Sequence, residues 1–395
     1  MPRKVIVSGV GCCLIDFLFN NIDFNSKAVR SCLSRSRGDG GLVPGKLVFR
    51  EEFEQFIGTD LDSTLKKITG GRSPDKTNIG GPSIVSMINV AQLVDKRSCE
   101  VLFYGRGGND DAGRYLFESL RKTPVVLHDY QLTDNKTPST IVLSDPGYDN
   151  GHGERMFINS IGAAWDYWPS DLDDNFFSSD IVVFGGTALV PNIHDHLTSL
   201  LKKAKSRKCI TIVNTVFDFR NEKAKPGEKW PLGQSDDSYR FIDLLITDHE
   251  EALRLCGGNS ISEATRFFID RQVSSFIITN GSNNIIAYSD GHFFNPSPLK
   301  ELPVSREILE MIKSNAEGDT TGCGDNFAGG VIASMVNQLK DEIEHPDFQE
   351  ACYRGIVSGG FACFYMGGTY FEKKPGEKRN KIEPFYDAYK KQISG

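Results

Sequence analysis

Four short apolar runs most constrain the fold. Ile181–Phe184, Cys209–Asn214, Leu244–Thr247 and Ser275–Thr279 each read as a strand, and helical stretches separate them. Strands joined through helices pair in parallel, and the helices then cover both faces of the sheet. Lys4 to Gly11, β-branched and apolar, reads as a buried first strand of the same sheet. A chain of 395 residues exceeds one minimal core. One large α/β domain with a smaller appendage is expected.

The pattern changes twice along the chain. Asn20 to Asn78 is first polar and glycine-rich, then helical from Glu51 to Ile57. Val125 to Ser160 holds strand-like pieces at Val125–Leu127, Thr140–Leu143 and Met156–Ile158, broken by Asp145-Pro146-Gly147, and reads as a small antiparallel sheet. The expected division is therefore a main domain of 1–19, 76–122 and 161–395, with 20–75 and 123–160 as inserts.

Charge and cysteine usage exclude several function classes. Acidic residues outnumber basic ones, 52 to 45, and the net charge of −7 argues against non-specific nucleic-acid binding. The densest basic cluster, Lys202 to Lys208, reads as the end of a surface helix. Nine cysteines show neither a C-x-x-C pair nor zinc spacing. Met1 to Val7 carries no signal-peptide core, and no apolar run is long enough to span a membrane. A cytoplasmic protein with reduced thiols is expected, without membrane or nucleic-acid partners.

One stretch points to chemistry: Asp319-Thr320-Thr321-Gly322-Cys323-Gly324-Asp325. Gly322 and Gly324 let the backbone approach a ligand, and the apolar spacing of Phe327, Val331 and Met335 starts a helix at once. Helix amides without intrahelical partners and the positive end of the dipole make an anion site there, with phosphate the usual occupant. Asp325 stands at its mouth, where a carboxylate repels phosphate unless it has work to do, such as taking a proton from an attacking hydroxyl. The helix end is expected to keep it ionised. A plain helix cap after a glycine turn accounts for the same residues equally well.

Other positions carry weaker signals. Asp16 follows the first strand and is placed to accept bonds from substrate hydroxyls, or to cap a turn. Gly80-Gly81 opens a helix of apolar period. Arg155 is a candidate to neutralise phosphate charge, or a solvated strand arginine. Thr247 to Glu250 has capping-box spacing. Asp218 and Arg220 follow a strand and are candidates for the ligand cleft. Gly40 to Lys46 fits G-x-x-x-x-G-K, but Leu47 follows and no buried strand precedes it, so a P-loop is rejected.

The string ending in Asp325 resembles the D-T-x-G-A-G-D signature of the ribokinase-like (PfkB) carbohydrate kinases, with Cys323 in place of Ala. The resemblance continues at Asp16, Gly80-Gly81, Gly105 to Gly113, Asp248 to Glu251 (for N-x-x-E) and Thr279-Asn280-Gly281 (for T-x-G). It implies a three-layer α/β sandwich with a central, mostly parallel sheet and a small β-sheet lid. It implies an ATP-dependent kinase acting on a hydroxymethyl group of a sugar. Asp325 would be the base; Gly322, Cys323 and Gly324 would hold the transferring phosphate, with Arg155 assisting. Asp16, Gly80 and Gly81 would bind substrate. Thr279 and Gly281 would border the nucleotide, and Glu251, with Asp248 in place of Asn, would support Mg²⁺ through water. Asp319 and Thr321 would be the candidates for a K⁺ site found in some members. A homodimer is compatible with the family, whose lids pair in some cases.

The long first segment and Gly367 to Pro375 look more like adenosine kinases, whereas Cys12 and Val85 stand where those enzymes carry Asn. A sugar is therefore expected over a nucleoside. The remaining alternative is a catalytically silent ligand-binding relative. Arg354 to Phe371 is expected as a Gly-rich apolar helix beside the nucleotide.

Overall fold

A computed structural model describes the chain apart from residues 1–3, 37, 152, 315–317, 319 and 395, and apart from the side chains of residues 128, 150 and 151. Strand β1 (Val5–Gly11) opens a large sheet, and β2 (Leu14–Phe19) crosses at once into a small one. Next come β3 (Leu47–Phe49), helices α1 (Arg50–Ile57) and α2 (Leu61–Thr69), and β4 (Lys76–Gly80). Helix α3 (Pro82–Leu93) returns the chain to the large sheet for β5 (Cys99–Gly108) and β6 (Val126–Thr133). A second visit to the small sheet supplies β7 (Ser139–Asp145) and β8 (Glu154–Ser160).

The four runs that fixed the fold class then follow. They are β9 (Ile181–Gly185), β10 (Ile210–Asn214) after helix α4 (Leu197–Ser206), β11 (Leu244–Asp248), and β12 (Ser275–Thr279) after α5 (His249–Cys256) and α6 (Ile261–Asp270). An antiparallel pair, β13 (Ile285–Ser289) and β14 (Ser297–Leu302), closes that edge. Three long helices end the chain: α7 (Cys323–Lys340), α8 (Phe348–Ala362) and α9 (Glu377–Ser394).

The large sheet has nine strands in the order β14-β13-β12-β11-β10-β9-β1-β5-β6, parallel from β12 to β6. Alternate residues of its strands serve two apolar cores. Val5 and Val7 face Ile84, Met87, Val331 and Val357 of α3, α7 and α8. Val10, Val182 and Val213 face Leu197, Leu201, Leu255 and Phe268 of α4, α5 and α6. The result is three layers, as the period-two alternation requires. The chain reverses its direction of growth between β1 and β9, and in open α/β sheets ligands bind beyond the strand ends at such a switch.

The small sheet runs β3-β8-β7-β2-β4. One face packs Phe19, Leu143, Met156 and Ile158 against Phe53 of α1 and Leu61 of α2. Of the three pieces expected in a small antiparallel sheet, β7 and β8 pair as foreseen, but β6 joins the large sheet beside β5, in parallel. Buried Val125 and Tyr130 there belong to the large core, so packing decides against the expected partner. The last expected helix is also displaced: α8 is capped by Asp347 and ends at Ala362, before the glycines at 367 and 368. Among the described residues, no helix is long and apolar enough to cross a membrane.

Candidate active site

The turn at Gly322 forms as its glycines dictate. Gly322 takes φ +75° and caps α7, a conformation that L side chains rarely adopt. A Cβ there would lie 2.4 Å from Gly368 Cα, so two backbones meet without room for a side chain. The Cys323 amide donates to Thr320 O at 3.3 Å and closes the turn. The amides of Gly324 and Asp325 follow in the first helical turn, where the helix offers no acceptor. Gly324 is exposed, with nothing within 4 Å of where a Cβ would stand. Cys323 Sγ lies 3.2 Å from Cys363 Sγ, beneath the turn. Asp319 lies outside the described residues.

Asp325 keeps some contact with solvent but has protein deep around it. Burial pushes its carboxyl up to about 7. The expectation of a carboxylate held ionised by the helix end is therefore corrected. Loss of water around the charge outweighs the helix dipole, although Asp325 stands in the first turn where that dipole acts.

The two sheets converge on this turn. Arg155, on β8, donates through Nη1 to Thr321 Oγ1 at 2.9 Å, so an arginine of the small sheet reaches the segment that leads into the Gly322 turn. Asp16 is buried on β2, and its carboxylate faces Gly80, where a Cβ would stand 2.1 Å from Oδ2. Gly81, at φ +103°, caps α3. The buried Cys12 thiol is pushed up by burial and by the charges of Cys13, Asp16 and Asp325.

Sheet register shows further residues that motif reading missed. Asp16 pairs with Asn78 on β4 and with Thr140 on β7, and Thr140 pairs with Asn159 on β8. Opposed residues share a face. Asn78, Asp16, Thr140 and Asn159 therefore form one buried polar row across four strands, opposite the face that α1 and α2 cover. Asn159 Nδ2 donates to Thr140 Oγ1 at 3.0 Å, while its buried Oδ1 has no hydrogen-bond partner. Strict alternation in each strand hints at such a row, but only the register assembles it. Val85 packs within 3.1 Å of the Cβ position of Gly368, supporting the turn.

Glu251 lies beyond the ends of β10 and β11. Its Oε2 accepts from Thr215 Oγ1 and, at 3.3 Å, from the Asp248 amide, while its own amide donates to Asp248 Oδ1 at 2.8 Å. The capping box is thus Asp248–Glu251, one residue beyond the expected Thr247–Glu250, because β11 continues through Asp248. Burial, then the Asp248 charge, pushes the Glu251 carboxyl up to about 8, and Asp325 adds to the effect. A buried carboxylate unsettled by its neighbours is a fit partner for a cation. Among the described residues no cluster of ligands could hold a metal unaided. That donor set fits a divalent cation that takes one or two carboxylates and otherwise keeps water and phosphate.

Thr279 ends β12 opposite Asp248, and Gly281 turns with φ +55°. A cavity of about 680 Å³ adjoins that turn, lined among others by Asn280, Asn283, Pro303, Val304 and Leu309. Asp218 and Arg220 are engaged otherwise. Asp218 caps the short helix Phe219–Ala224 and faces His194 at 3.5 Å, and Arg220 pairs with Asp195.

Solved structures share this fold. The adenosine kinase of Sinorhizobium meliloti matches with a TM-score of 0.69 at 14% identity, over 97% of this chain and 99% of its own. The ribokinase of Thermotoga maritima matches with a TM-score of 0.61 at 17% identity, also over 97% and 99%. The fold is ribokinase-like, as expected. In sequence, the pfkB family carbohydrate kinase model matches residues 75–374, and the chain belongs to that family. It is an ATP-dependent phosphotransferase with an alcohol group as acceptor. A 5-dehydro-2-deoxygluconokinase of Photobacterium profundum is 25% identical over 274 residues, 66% of this chain and 76% of its own.

Proposed function

We propose that the protein transfers the γ-phosphoryl group of ATP to a hydroxymethyl group of a sugar. The acceptor lies against the polar row, held by Asp16, Asn78, Thr140 and Asn159 and by the backbone at Gly80 and Gly81. Asp325 takes the proton of the attacking hydroxyl. The new O–P bond forms as the bond to the β-phosphate oxygen breaks, and ADP leaves. Amides of the Gly322–Asp325 turn, with Arg155, hold the charge on the group in transit.

Thr279 and Gly281 border the nucleotide. Mg²⁺ would be held by the nucleotide phosphates with Glu251 and Asp248 behind water, and when bound it neutralises phosphate charge. K⁺ at Thr321 is the weaker proposal, since Arg155 already places a cation against that hydroxyl. The lid in this reading is the small sheet with its helices, residues 20–75 and 123–160 without β6, joined by β2 and β4. A cytoplasmic location goes with the nine cysteines and their lack of paired spacing.

The polar row carries the choice of a sugar. Four hydrogen-bonding side chains in line, one with an unmet buried acceptor, suit a chain of hydroxyls better than a flat purine. A site built to bond hydroxyls strongly rejects molecules that lack them. The relative named for a gluconate-type acceptor points the same way, and the adenosine kinase likeness supports the layout alone. A coupled ADP-release assay over free sugars and nucleosides with Mg²⁺-ATP tests this. A sugar is expected to give the highest kcat/KM. If adenosine leads, the acceptor class is wrong. If no acceptor in a broad panel turns over, the silent ligand-binding alternative replaces catalysis.

A further inference from the structure

Directly behind the anion turn lies a lysine that the chemistry above does not use. Lys378, in the first turn of α9, is 1% exposed, and its Nζ donates to Asn326 Oδ1 at 2.6 Å. Asn326 is the residue after Asp325. Its Nδ2 donates to Gly322 O at 2.8 Å and to Gly368 O at 2.9 Å, the two backbones that meet without side chains. Tyr365 OH is the second donor to Oδ1, at 3.2 Å, and it also receives from Lys378 Nζ at 3.3 Å.

An asparagine amide can turn over, exchanging its oxygen and nitrogen. A hydroxyl such as that of Tyr365 suits either orientation because it both donates and accepts. An ammonium only donates. Lys378 and the two carbonyls therefore demand the same orientation, with Oδ1 toward the ammonium and the NH₂ toward Gly322 and Gly368. The turn that carries Gly322, Cys323 and Gly324 is thereby tied to Gly368 in one arrangement.

We propose that Lys378 is a positioning residue for phosphoryl transfer, acting through Asn326 to hold the Gly322–Gly324 turn in register. A purely space-filling role would be met more cheaply by an unbranched apolar side chain, because burying an amino group disfavours its charged form. Burial does lower the Lys378 ammonium toward about 7, against the pull of Glu372.

Stability and catalysis separate the two roles. Lys378→Met keeps length and apolar contact. It is expected to melt no lower than wild type while kcat falls about 10²-fold, the scale of a misplaced catalytic group. KM for ATP and for the acceptor is expected to stay within about two-fold, since binding is left intact. Lys378→Met combined with Asn326→Ala is expected to match Asn326→Ala alone, because residues acting as one unit are non-additive. Asn326→Asp offers a second route, accepting from Lys378 but unable to donate to the carbonyls. It is expected to fold and to lose kcat comparably.

Wild-type kcat in Lys378→Met, additive losses in the double variant, or wild-type kcat in Asn326→Asp would each overturn the proposal. So would a fall in melting temperature that accounts for the lost activity. The inference rests on the kinase reading, and the two fail differently. An inactive wild-type protein defeats that reading, whereas an active wild type with an equally active Lys378→Met defeats this inference alone.

Discussion

Asp325→Asn is expected to keep the fold and ATP affinity and to lose at least about 10²-fold in kcat, within the ~10²–10⁴ that a general base contributes. The amide is nearly isosteric but cannot accept the hydroxyl proton. The pH profile sharpens the test. Because the Asp325 carboxyl is pushed up to about 7, wild-type kcat/KM is expected to rise through that pH and level off above it. The residual rate of the variant is expected to lack that limb.

Stability moves in the opposite sense. The folded state holds this proton more tightly than the unfolded chain, whose value is near 3.8. Ionising Asp325 therefore destabilises the fold as pH rises from the lower value through the upper one. The variant is expected to melt above wild type near about pH 8 and to match it below about pH 4. A variant with wild-type turnover, or one that loses ATP binding along with turnover, contradicts the assignment.

Gly322→Ala carries the second largest expected effect. Its Cβ would meet Gly368 Cα at 2.4 Å, and the residue must hold φ +75°. Overpacking of that kind costs about 1–3 kcal/mol, and the turn can relieve it only by withdrawing its amides. A loss of about 10²–10³ in kcat is expected with a lower melting temperature. Gly324→Ala is the informative partner. No atom lies within 4 Å of its Cβ position, so the melting temperature is expected to hold while the methyl obstructs the cleft and turnover falls. Equal melting losses in both variants would show that the turn serves folding alone.

The parts of this molecule that were legible in the sequence are local. Strands β9 to β12 announce themselves by length and β-branched content, and the turn at Gly322 by two glycines before a helical period. Asp16 and Glu251 are legible as motif positions and Arg155 as a candidate cation, and the fold brings Arg155 onto Thr321. What escaped depends on distance along the chain. Asn78, Thr140 and Asn159 become one row only through strand register, which residue type does not encode. Lys378 carries no signal in the sequence, and only the packing of α9 reveals it behind the Gly322 turn. The rise in the Asp325 pKa escaped because desolvation is a property of the assembled cleft, whereas the helix dipole is visible in the string itself.

A structure of the wild-type enzyme with Mg²⁺-ADP, aluminium fluoride and the preferred sugar tests the central claim most directly. The account predicts fluoride ligands about 2.7–3.1 Å from backbone nitrogens of the Gly322–Asp325 turn. It also predicts the acceptor hydroxymethyl oxygen about 2.6–3.2 Å from an Asp325 oxygen. A metal fluoride bound elsewhere, or an acceptor hydroxyl turned to a different carboxylate, would contradict it.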